Sequence, residues 1–424
     1  MRKRRLRGAP VAQHGRLRSP HPLLQALSLV GVAALVGIAS AAGVVGFHVW
    51  DAAATIGGNS VEIGNEGDPA LPPGLGEIEG GVNLLLVGTD ACEGQDVALF
   101  PRCGMDDDGG ERNDVTMLVH ISDEPRRVTV VSFPRDTYVP IAECQNADGD
   151  TVGGGTEKIN ASYMYGGLPC TVRTVEELTG EDIQFAAAIR WTGVINLSDA
   201  VGGVDVCVQG DISDRHTGLV LTAGTHTLQG VQALQFLRIR HGIGDGSDLG
   251  RISNQQQFMS SLVRKMQSDA VLGDAGKLLN FANVAMTQVR EKQLVLDKQL
   301  ANPTRMAQIA MALKDVPFED IVFVQYPAAY SGDGLVPISG AADALFAALR
   351  ENRPLQLTGE ASGGFGVEVT GEVPDTAAPD PAATAPAPAA TEGGEALPPN
   401  AAVELPSSIS GQNASQVTCT VPQS

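Results

Sequence analysis

The hydrophobic and polar positions of the chain predict strands at residues 82–87, 115–121 and 128–133. Each run is short, rich in Val, Leu or Ile, and bounded by turn residues, which is the pattern of buried strands. A fourth run of this kind spans residues 320–326. These runs predict the strands of a folded domain whose helices should lie between and after them.

Helical periodicity occupies the segments between and after these strands. The predicted helices are 158–167, resumed at 172–179, then 228–236, 304–313 and 341–350. Residues 183–208 predict a strand, a helix, a Gly-Gly turn and a further strand. Strands that alternate with helices indicate an α/β domain, and no break in composition divides residues 81–354.

An amphipathic helix is predicted after the triplet RIR. Its apolar stripe comprises Leu249, Ile252, Met259, Leu262 and Met266. Asp248 lies near its N-terminus, and Arg251 and Gln255, spaced i, i+4, share a face away from the stripe. In the triplet, Arg238 and Arg240 project from one face if the backbone is extended.

The first 50 residues predict a membrane anchor. Residues 1–22 carry seven bases and no acid, and residues 23–50 contain no charged side chain between positions 27 and 47. About 20 apolar residues suffice to cross a bilayer as a helix. The bases place the N-terminus in the cytoplasm and everything after Asp51 outside. The sequence Ala39-Ser40-Ala41 resembles a cleavage site, so a cleaved signal peptide is the alternative.

Two segments have the composition of linkers. Residues 51–80 are rich in Gly, Pro and acids, which predicts a flexible stalk. Residues 355–410 are rich in Pro, Ala, Gly and Glu, cannot bury a core, and are predicted to be disordered. The tail 411–424 regains some pattern, and it returns to the domain if Cys419 is bonded to Cys207.

The charge distribution argues against nucleic-acid binding. The formal net charge is −20, and after the basic N-terminus 22 Lys and Arg stand against 49 Asp and Glu. Duplex affinity rests on neutralising phosphates with basic side chains, so such a body is a poor general nucleic-acid binder. The cluster of Arg238, Arg240 and Arg251 therefore favours one specific anion, because guanidinium groups suit phosphate oxygens.

All six cysteines follow the predicted anchor, where an oxidising compartment favours disulfides. No CxxC or HExxH motif occurs, so zinc has no sequence support. Six cysteines allow 15 pairings. We expect Cys92–Cys103, Cys144–Cys170 and, by elimination, Cys207–Cys419, although the count alone leaves the connectivity open.

Polar residues gather at the ends of the first three predicted strands. Asp90 follows the first strand, Arg112 and Asp114 precede the second, and Arg135 and Asp136 follow the third. Open α/β sheets place their sites at such edges. Two acids and two arginines there could hold Mg2+ together with a pyrophosphate. The alternative is surface ion pairs, and Asp136 is expected to pair with an arginine or to cap a turn.

A series of short motifs resembles the LytR-CpsA-Psr family of cell-wall ligases. In chain order the motifs are NLLLVGTD, ERNDVTML, VSFPRDTYV, KINASYMYGG, AVGGVDV, AGTHTLQGVQALQFLRIRH and DLGRISNQQQF. They extend from Asn83 to about Lys265. The single N-terminal anchor, the cysteine after GGVDV and the cysteine near the C-terminus are similar to features of members from high-GC Gram-positive bacteria.

The resemblance implies a three-layer α/β/α sandwich around a mixed sheet, with a hydrophobic channel for a polyprenyl chain. It implies Mg2+-dependent transfer of a glycan-phosphate from a polyprenyl-pyrophosphate carrier to a hydroxyl of peptidoglycan, with polyprenyl phosphate leaving. The partners would be the lipid-linked glycan, the peptidoglycan acceptor and the membrane. The protein would be a single-pass protein of the cell membrane, with its N-terminus cytoplasmic and its catalytic domain extracytoplasmic.

The family pattern also implies roles for individual residues. Asp90 and Asp114 would approach Mg2+, and Asp114 could instead act as a base on the acceptor hydroxyl. Catalytic roles fall to Asp114, Arg112 and Arg135. The side chains facing the phosphates would be those of Arg112, Arg135, Arg238, Arg240, Arg251 and Gln255. The family usually has Arg-Gln where this chain has Asn254-Gln255, and we expect that change to lie at the rim of the site.

Three hypotheses about function remain open at this level. The first is the glycan-phosphate transferase. The second changes the acceptor, since water would make the protein a polyprenyl-pyrophosphate hydrolase and a protein side chain would make it a glycoprotein ligase. The third is a binding or regulatory protein that holds the lipid-linked glycan without transfer. Net charge, the anchor and the lack of a DNA-binding motif argue against direct DNA regulation, and the glycan and the oligomeric state have no sequence signature.

Overall fold

In the computed structural model the described residues are 58–64, 71–72, 74–78, 80–105, 110–268, 274–361, 365–373 and 401–423. The predicted cytoplasmic tail, residues 1–22, and the predicted anchor, residues 23–50, lie outside these ranges. Within them, no helix combines the length and the apolar character that crossing a membrane requires.

The regular elements are labelled in chain order. The helices α1 to α7 are Ser162–Thr179, Trp191–Ala200, Gly230–Arg238, Asp248–Gln267, Ala275–Arg290, Pro303–Lys314 and Ser339–Arg350. The strands β1 to β11 are Val82–Thr89, Asn113–Ile121, Val128–Phe133, Tyr138–Pro140, Cys144–Gln145, Thr151–Val152, Thr156–Lys158, Phe185–Ile189, Val204–Val208, Ile212–Asp214 and Leu219–Leu221. The strands β12 to β21 are Gly224–Leu228, Leu294–Leu296, Ile321–Gln325, Ala328–Ser331, Gly334–Pro337, Leu355–Gln356, Val367–Glu372, Val403–Glu404, Gly411–Asn413 and Gln416–Thr420.

Seven of the described strands form a central mixed sheet in the order β13-β8-β1-β2-β3-β14-β20. Strand β1 runs parallel to β8, and β3 runs parallel to β14. The other neighbours in this sheet are antiparallel. The four strands predicted from the apolar runs are thus confirmed as β1, β2, β3 and β14, and all lie side by side in one sheet.

Both faces of the central sheet are covered, because successive side chains of a strand point to opposite faces. On one face Leu85 and Leu118 belong to a buried cluster with residues of α1 and α7. On the other face Met117 and Val130 belong to a second cluster with residues of α5 and α6. Helices on both sides of a mixed sheet confirm the α/β fold.

A second sheet, in the order β12-β9-β21-β18 among the described strands, packs against helix α4. The C-terminal strand β21 lies inside it, parallel to β9 and antiparallel to β18. Disulfides join Cys92 to Cys103, Cys144 to Cys170 and Cys207 to Cys419. All three expected pairings are therefore confirmed, and the last one ties β21 to β9.

The prediction of disorder for residues 355–410 is wrong for the parts of that segment that the structure describes. Strand β17 pairs with β19, and β18 pairs with β21. These strands are held by main-chain hydrogen bonds and bury few side chains, since most residues of β18 are exposed. Leu405 and Ile409, which follow β19, are nevertheless buried in the cluster beside α1 and α7. The average composition of the segment therefore concealed both the strand pairing and the few apolar side chains that attach it to the core.

The prediction of a flexible stalk over residues 51–80 is also wrong for described parts of it. The Val61 amide donates to the Leu296 carbonyl at 2.9 Å, and the Lys298 amide donates to the Val61 carbonyl at 2.9 Å. Leu75 is 7% exposed and joins the cluster under α5 and α6. Main-chain pairing and one apolar side chain therefore attach this segment to the folded domain.

Candidate functional site

A cavity of about 620 Å³ lies between the central sheet and helices α2 to α5. Most of its wall is apolar. The sheet contributes Leu86, Met117, Ala187 and Ile189, and the helices contribute Val194, Leu197, Leu234, Leu237, Phe258, Met259, Leu262, Met266 and Phe281. A wall of this kind suits a ligand with a long apolar part.

One part of the cavity wall is polar and strongly basic. It is formed by Asp114, Arg135, Arg238, Arg240, Arg251 and Gln255, and we call it the arginine end. Its members come from the start of β2, the turn after β3, the end of α3 with its exit, and α4. The fold thus brings together six residues that the sequence singled out across more than one hundred positions of the chain.

Arg135 is held by carboxylates on several sides. Its guanidinium forms an ion pair with Asp114, and its Nε lies 3.7 Å from Asp248 Oδ1 and 3.7 Å from Asp136 Oδ2. Its main-chain amide donates to Asp248 Oδ2 at 3.2 Å. Burial alone lowers the pKa of Arg135, but the charges of Asp114 and Asp248 outweigh burial and raise it. The expected pairing of Asp136 with an arginine is confirmed.

Arg251 is the most deeply buried cation of the arginine end. It is 4% exposed, pairs with Asp248 Oδ1 at 2.5 Å, and donates from Nη2 to the main-chain carbonyl of Asp114 at 3.1 Å. Burial lowers the pKa of Arg251, and the charge of Asp248 opposes that effect. Asp248, in the first turn of α4, therefore serves as counter-ion to Arg251 and Arg135 together.

The two arginines of the RIR triplet do not lie on an extended strand. Arg238 is the last residue of α3, and its guanidinium lies 4.3 Å from the centre of the Trp191 ring, a cation–π contact. Gln255 donates to the Leu237 carbonyl at 2.9 Å, which fixes the end of α3. Arg240 follows outside the helix, and its buried Nε has no hydrogen-bond partner among the described residues.

Asp90 and Arg112, although predicted for the same site, do not line the cavity. Asp90 is 6% exposed and its Oδ2 accepts from Arg102 at 2.6 Å. Its Oδ1 accepts from the Arg112 main-chain amide at 2.8 Å. The Arg112 side chain has no hydrogen bond or ion pair within the described ranges. The side chains of these two residues therefore do not contribute to the wall of the cavity.

The expectation that Asn254 lies at the rim of the site is wrong. Asn254 is fully buried, donates to the Phe236 carbonyl at 2.7 Å, and accepts from the Thr420 hydroxyl at 2.6 Å. Its neighbour Gln255 lines the cavity, whereas Asn254 is turned by the helix toward the C-terminal strand. Where the family usually has an arginine, this chain has Asn254, whose hydrogen bonds link α3, α4 and β21.

Several residues of the site were not found from the sequence. Asp248 was noted only as the start of a helix, although its i, i+3 spacing from Arg251 was a usable signal. Arg102 was missed although the expected Cys92–Cys103 disulfide brings it close to Asp90, and Trp191 had no sequence signal, because only the packing of α2 against α3 brings it to Arg238. Three further titratable residues line the cavity, namely Asp214, His216 and His241, and the two imidazole rings lie 4.4 Å apart between centroids.

Comparison of the sequence with known proteins identifies its relatives. A family profile described as the LytR_cpsA_psr family matches residues 59–340. The cell wall biosynthesis protein LcpA of Corynebacterium glutamicum is 27% identical over 315 residues, covering 68% of this chain and 58% of LcpA. The polyisoprenyl-teichoic acid–peptidoglycan teichoic acid transferase TagU of Bacillus mycoides is 31% identical over 224 residues, covering 52% of this chain and 65% of TagU. The chain spans about half the length of the known relatives it matches.

Solved structures share the fold. Protein gbs0355 from Streptococcus agalactiae has a TM-score of 0.50 at 20% identity, and the match covers 64% of this chain and 86% of that chain. A structure described as TagT bound to LIIa-WTA has a TM-score of 0.50 at 20% identity, and the match covers 69% of this chain and 98% of that chain. At this level of identity the likeness shows the fold alone.

Proposed function

The chain belongs to the LytR-CpsA-Psr family, and on this basis we propose that it transfers a glycan-phosphate from a polyprenyl-pyrophosphate carrier to peptidoglycan. The observation that carries the proposal is the cavity. Its wall is apolar over most of its surface and basic at the arginine end. A ligand with an apolar chain and a pyrophosphate head has the same two parts.

In the proposed reaction an acceptor hydroxyl attacks the phosphorus that carries the glycan. The bond from that phosphorus to the polyprenyl phosphate breaks, polyprenyl phosphate leaves, and the hydroxyl proton passes to the Asp114 carboxylate or to water. Such a reaction needs its charge neutralised and its leaving phosphate stabilised more than it needs covalent help. Arg135, Arg238, Arg240 and Arg251 would supply that neutralisation, with Gln255 assisting. Asp114, Arg112 and Arg135 are the residues that we assign to the chemical step. Arg112 does not line the cavity, but it lies two positions before Asp114 and its side chain has no hydrogen bond or ion pair within the described ranges.

Mg2+ is the metal that we propose for this site, with Asp114 and Asp90 as its protein ligands. The donor chemistry fits, because Mg2+ prefers one or two carboxylates together with phosphate oxygens and water. Asp114 lines the cavity, whereas Asp90 is engaged by Arg102. Within the described residues no group of three or more His, Cys, Asp or Glu could hold a metal by itself. Bound Mg2+ would neutralise phosphate charge, and substrate oxygens would have to complete its shell.

The remaining proposals concern architecture and location. We propose a three-layer α/β/α sandwich in an extracytoplasmic domain, anchored by one helix at residues 23–50 with the N-terminus in the cytoplasm. The three disulfides support an oxidising compartment. The partners are the lipid-linked glycan, the peptidoglycan acceptor and the membrane.

The test uses the 424-residue chain in detergent with Mg2+, a labelled polyprenyl-pyrophosphoryl oligosaccharide and peptidoglycan fragments. Label on the peptidoglycan and release of polyprenyl phosphate are followed separately. We expect both products to form in equal amounts and only with Mg2+. Release of lipid phosphate without transfer of label would replace the transferase by a hydrolase. Binding of the lipid with neither product would favour a binding protein.

A further inference from the structure

A glycine-rich loop, residues 241–247, connects the two halves of the arginine end. Arg240 precedes it, and Asp248 and Arg251 follow it in the first turn of α4. Gly242, Gly244 and Gly246 all have positive φ angles. Such a loop has many conformations available to it in isolation. The separation of Arg240 from Arg251 therefore depends on whatever fixes the loop.

The last residues of the described chain fix this loop through main-chain hydrogen bonds. The Gly244 amide donates to the Val421 carbonyl at 2.9 Å, and the Gln423 amide donates to the Gly242 carbonyl at 3.0 Å. The Gln423 side chain adds a third bond, since its Oε1 accepts from the Gly242 amide at 2.9 Å. Residues 421–423 thus continue β21 along the loop and hold Gly242 from both of its polar groups.

The contact on the other side of the loop is equally close. The Asp245 amide donates to the Phe365 carbonyl at 3.3 Å. A Cβ atom added to Gly244 would lie 1.6 Å from the Phe365 carbonyl oxygen. The backbone just before β18 therefore approaches so closely that only glycine fits at position 244. The loop lies against two segments of the C-terminal region at once.

The same C-terminal strand also reaches helix α4 below the arginine end. The Thr420 hydroxyl lies 2.6 Å from Asn254 Oδ1 and 2.5 Å from Gln257 Oε1, and it can donate to one of them at a time. Asn254 in turn donates to the Phe236 carbonyl near the end of α3. The C-terminal strand therefore reaches the segment that carries Arg238 and Arg240 in two ways. Residues 421–423 bond directly to the loop after Arg240, and Thr420 is connected to α3 through Asn254.

We propose that the C-terminal segment 420–423 is a positioning element of the phosphate-binding site, with Gln423 and Thr420 as its positioning residues. These residues lie after the region matched by the family profile, which ends at residue 340. They do not line the cavity themselves and act through the loop and through Asn254. The inference deepens the proposed function and rests on it for its ligand, a pyrophosphate attached to a polyprenyl chain.

The physical argument is one of preorganisation. Arg240 and Arg251 must be held close to each other before the ligand arrives, although like charges repel. Asp248 offsets part of that repulsion for Arg251. The loop bonds prevent Arg240 from moving away, so the ligand does not have to order the loop when it binds.

The experiment ends the 424-residue chain after Thr420, which removes the loop bonds and keeps the Cys207–Cys419 disulfide and the Thr420 hydroxyl. A second variant, Gln423→Met, removes only the side-chain acceptor. The control is Glu368→Ala in β18, which loses an exposed bond to Gln209 and, among the described residues, has no side-chain hydrogen bond to the loop. For each protein, amide hydrogen exchange of residues 242–246, affinity for geranylgeranyl pyrophosphate with Mg2+, and melting temperature are measured.

We expect the truncated chain to exchange its Gly242 and Gly244 amides at least tenfold faster and to bind geranylgeranyl pyrophosphate about tenfold more weakly, which corresponds to the loss of roughly 1.4 kcal/mol. Gln423→Met should show a smaller change of the same kind, and Glu368→Ala should show none. Unchanged exchange, or faster exchange with unchanged affinity, would overturn the proposal. A fall in melting temperature that accounts for the lost affinity would also overturn it, since the role would then be merely structural. If the unmodified chain does not bind the probe, the proposed function fails first, and the exchange data still decide whether residues 421–423 hold the loop.

Discussion

At the scale of single residues, the arginine end is a chain of alternating charges. Asp114 pairs with Arg135, Arg135 lies against Asp248, and Asp248 pairs with Arg251. Buried cations are costly without partners, so the acids allow several arginines to share one small region. The free-energy cost of burying these cations is already offset in the folded protein, so their N–H donors are in place before a phosphate binds.

The first prediction concerns Asp114. Changing Asp114→Asn should reduce turnover by about 100-fold or more, because it removes the carboxylate that faces the cavity and the partner of Arg135. The matched control is Asp136→Asn, since Asp136 has nearly the same side-chain exposure (23% against 24%), also contacts Arg135, and does not line the cavity. Both variants are assayed for Mg2+-dependent transfer. Equal turnover in the two variants would contradict the role of Asp114.

The second prediction is a pH dependence of stability that arises from His120. This residue is 5% exposed, its Nδ1 lies 2.9 Å from Asn83 Oδ1, and its Nε2 has no partner among the described residues. Burial lowers the pKa of His120 from 6.5 to about 4, against the opposing charge of Asp123. Between these pH values the unfolded chain binds a proton that the folded chain does not bind. The stability contribution is therefore complete above pH 6.5 and is lost as the pH falls toward 4.

The measurement for His120 is urea unfolding at a series of pH values, compared with His120→Gln. The native protein should lose up to roughly 3 kcal/mol more than the variant between pH 6.5 and 4, which is the free energy of the pKa difference. Parallel curves for the two proteins would show that His120 titrates normally in the folded state.

At the scale of elements, the sequence was informative wherever side-chain pattern decides the structure. The apolar runs predicted β1, β2, β3 and β14, and the amphipathic stripe predicted α4, because both signals report burial. Strand β18 has mostly exposed side chains and is held by main-chain bonds, so no side-chain pattern could reveal it.

The residues of the site also divide into those that the sequence could reveal and those that it could not. The arginines of the arginine end were found because guanidinium groups are conspicuous in an acidic chain. Asp90 was placed with Asp114 because both stand at strand ends, but Asp90 is paired with Arg102 and does not line the cavity. The true position of Asn254 depends on the contact with Thr420, which lies 166 residues further along the chain and leaves no trace in local sequence.

The third prediction belongs to helix α2, one wall of the cavity. Changing Leu197→Trp should fill part of the apolar volume and weaken binding of a long polyprenyl pyrophosphate, while binding of inorganic pyrophosphate stays the same. The reason is that Leu197 lines the apolar wall and the arginine end is formed by other elements. The control is Leu279→Trp on α5, where the side chain is 66% exposed and does not line the cavity. Affinities are measured by calorimetry, and equal losses for both ligands would contradict an apolar-chain site.

At the scale of the whole molecule, the described chain is closed by a cross-link between distant residues. Cys207 and Cys419 are 212 positions apart, whereas Cys92 and Cys103 are 11 positions apart. A cross-link restricts the unfolded chain more when the loop that it closes is longer. The C-terminal disulfide should therefore contribute more to stability than the loop disulfide.

The fourth prediction tests this difference with two double variants. Cys207→Ser with Cys419→Ser should lower the free energy of unfolding by roughly 2 to 3 kcal/mol more than Cys92→Ser with Cys103→Ser, following the logarithm of loop length. Denaturant unfolding of both proteins under non-reducing conditions gives the comparison. A larger loss from the Cys92–Cys103 pair would mean that local packing, rather than chain entropy, decides the effect.

The position of β20 and β21 in the two sheets has a consequence for biosynthesis. β20 forms an edge of the central sheet, and β21 lies inside the second sheet, yet these are the final strands along the described chain. A ribosome makes these strands after the strands with which they pair, so neither sheet can be completed until β20 and β21 have been synthesised. Until then β9 and β14 each lack a neighbour, and the nascent protein remains incompletely folded.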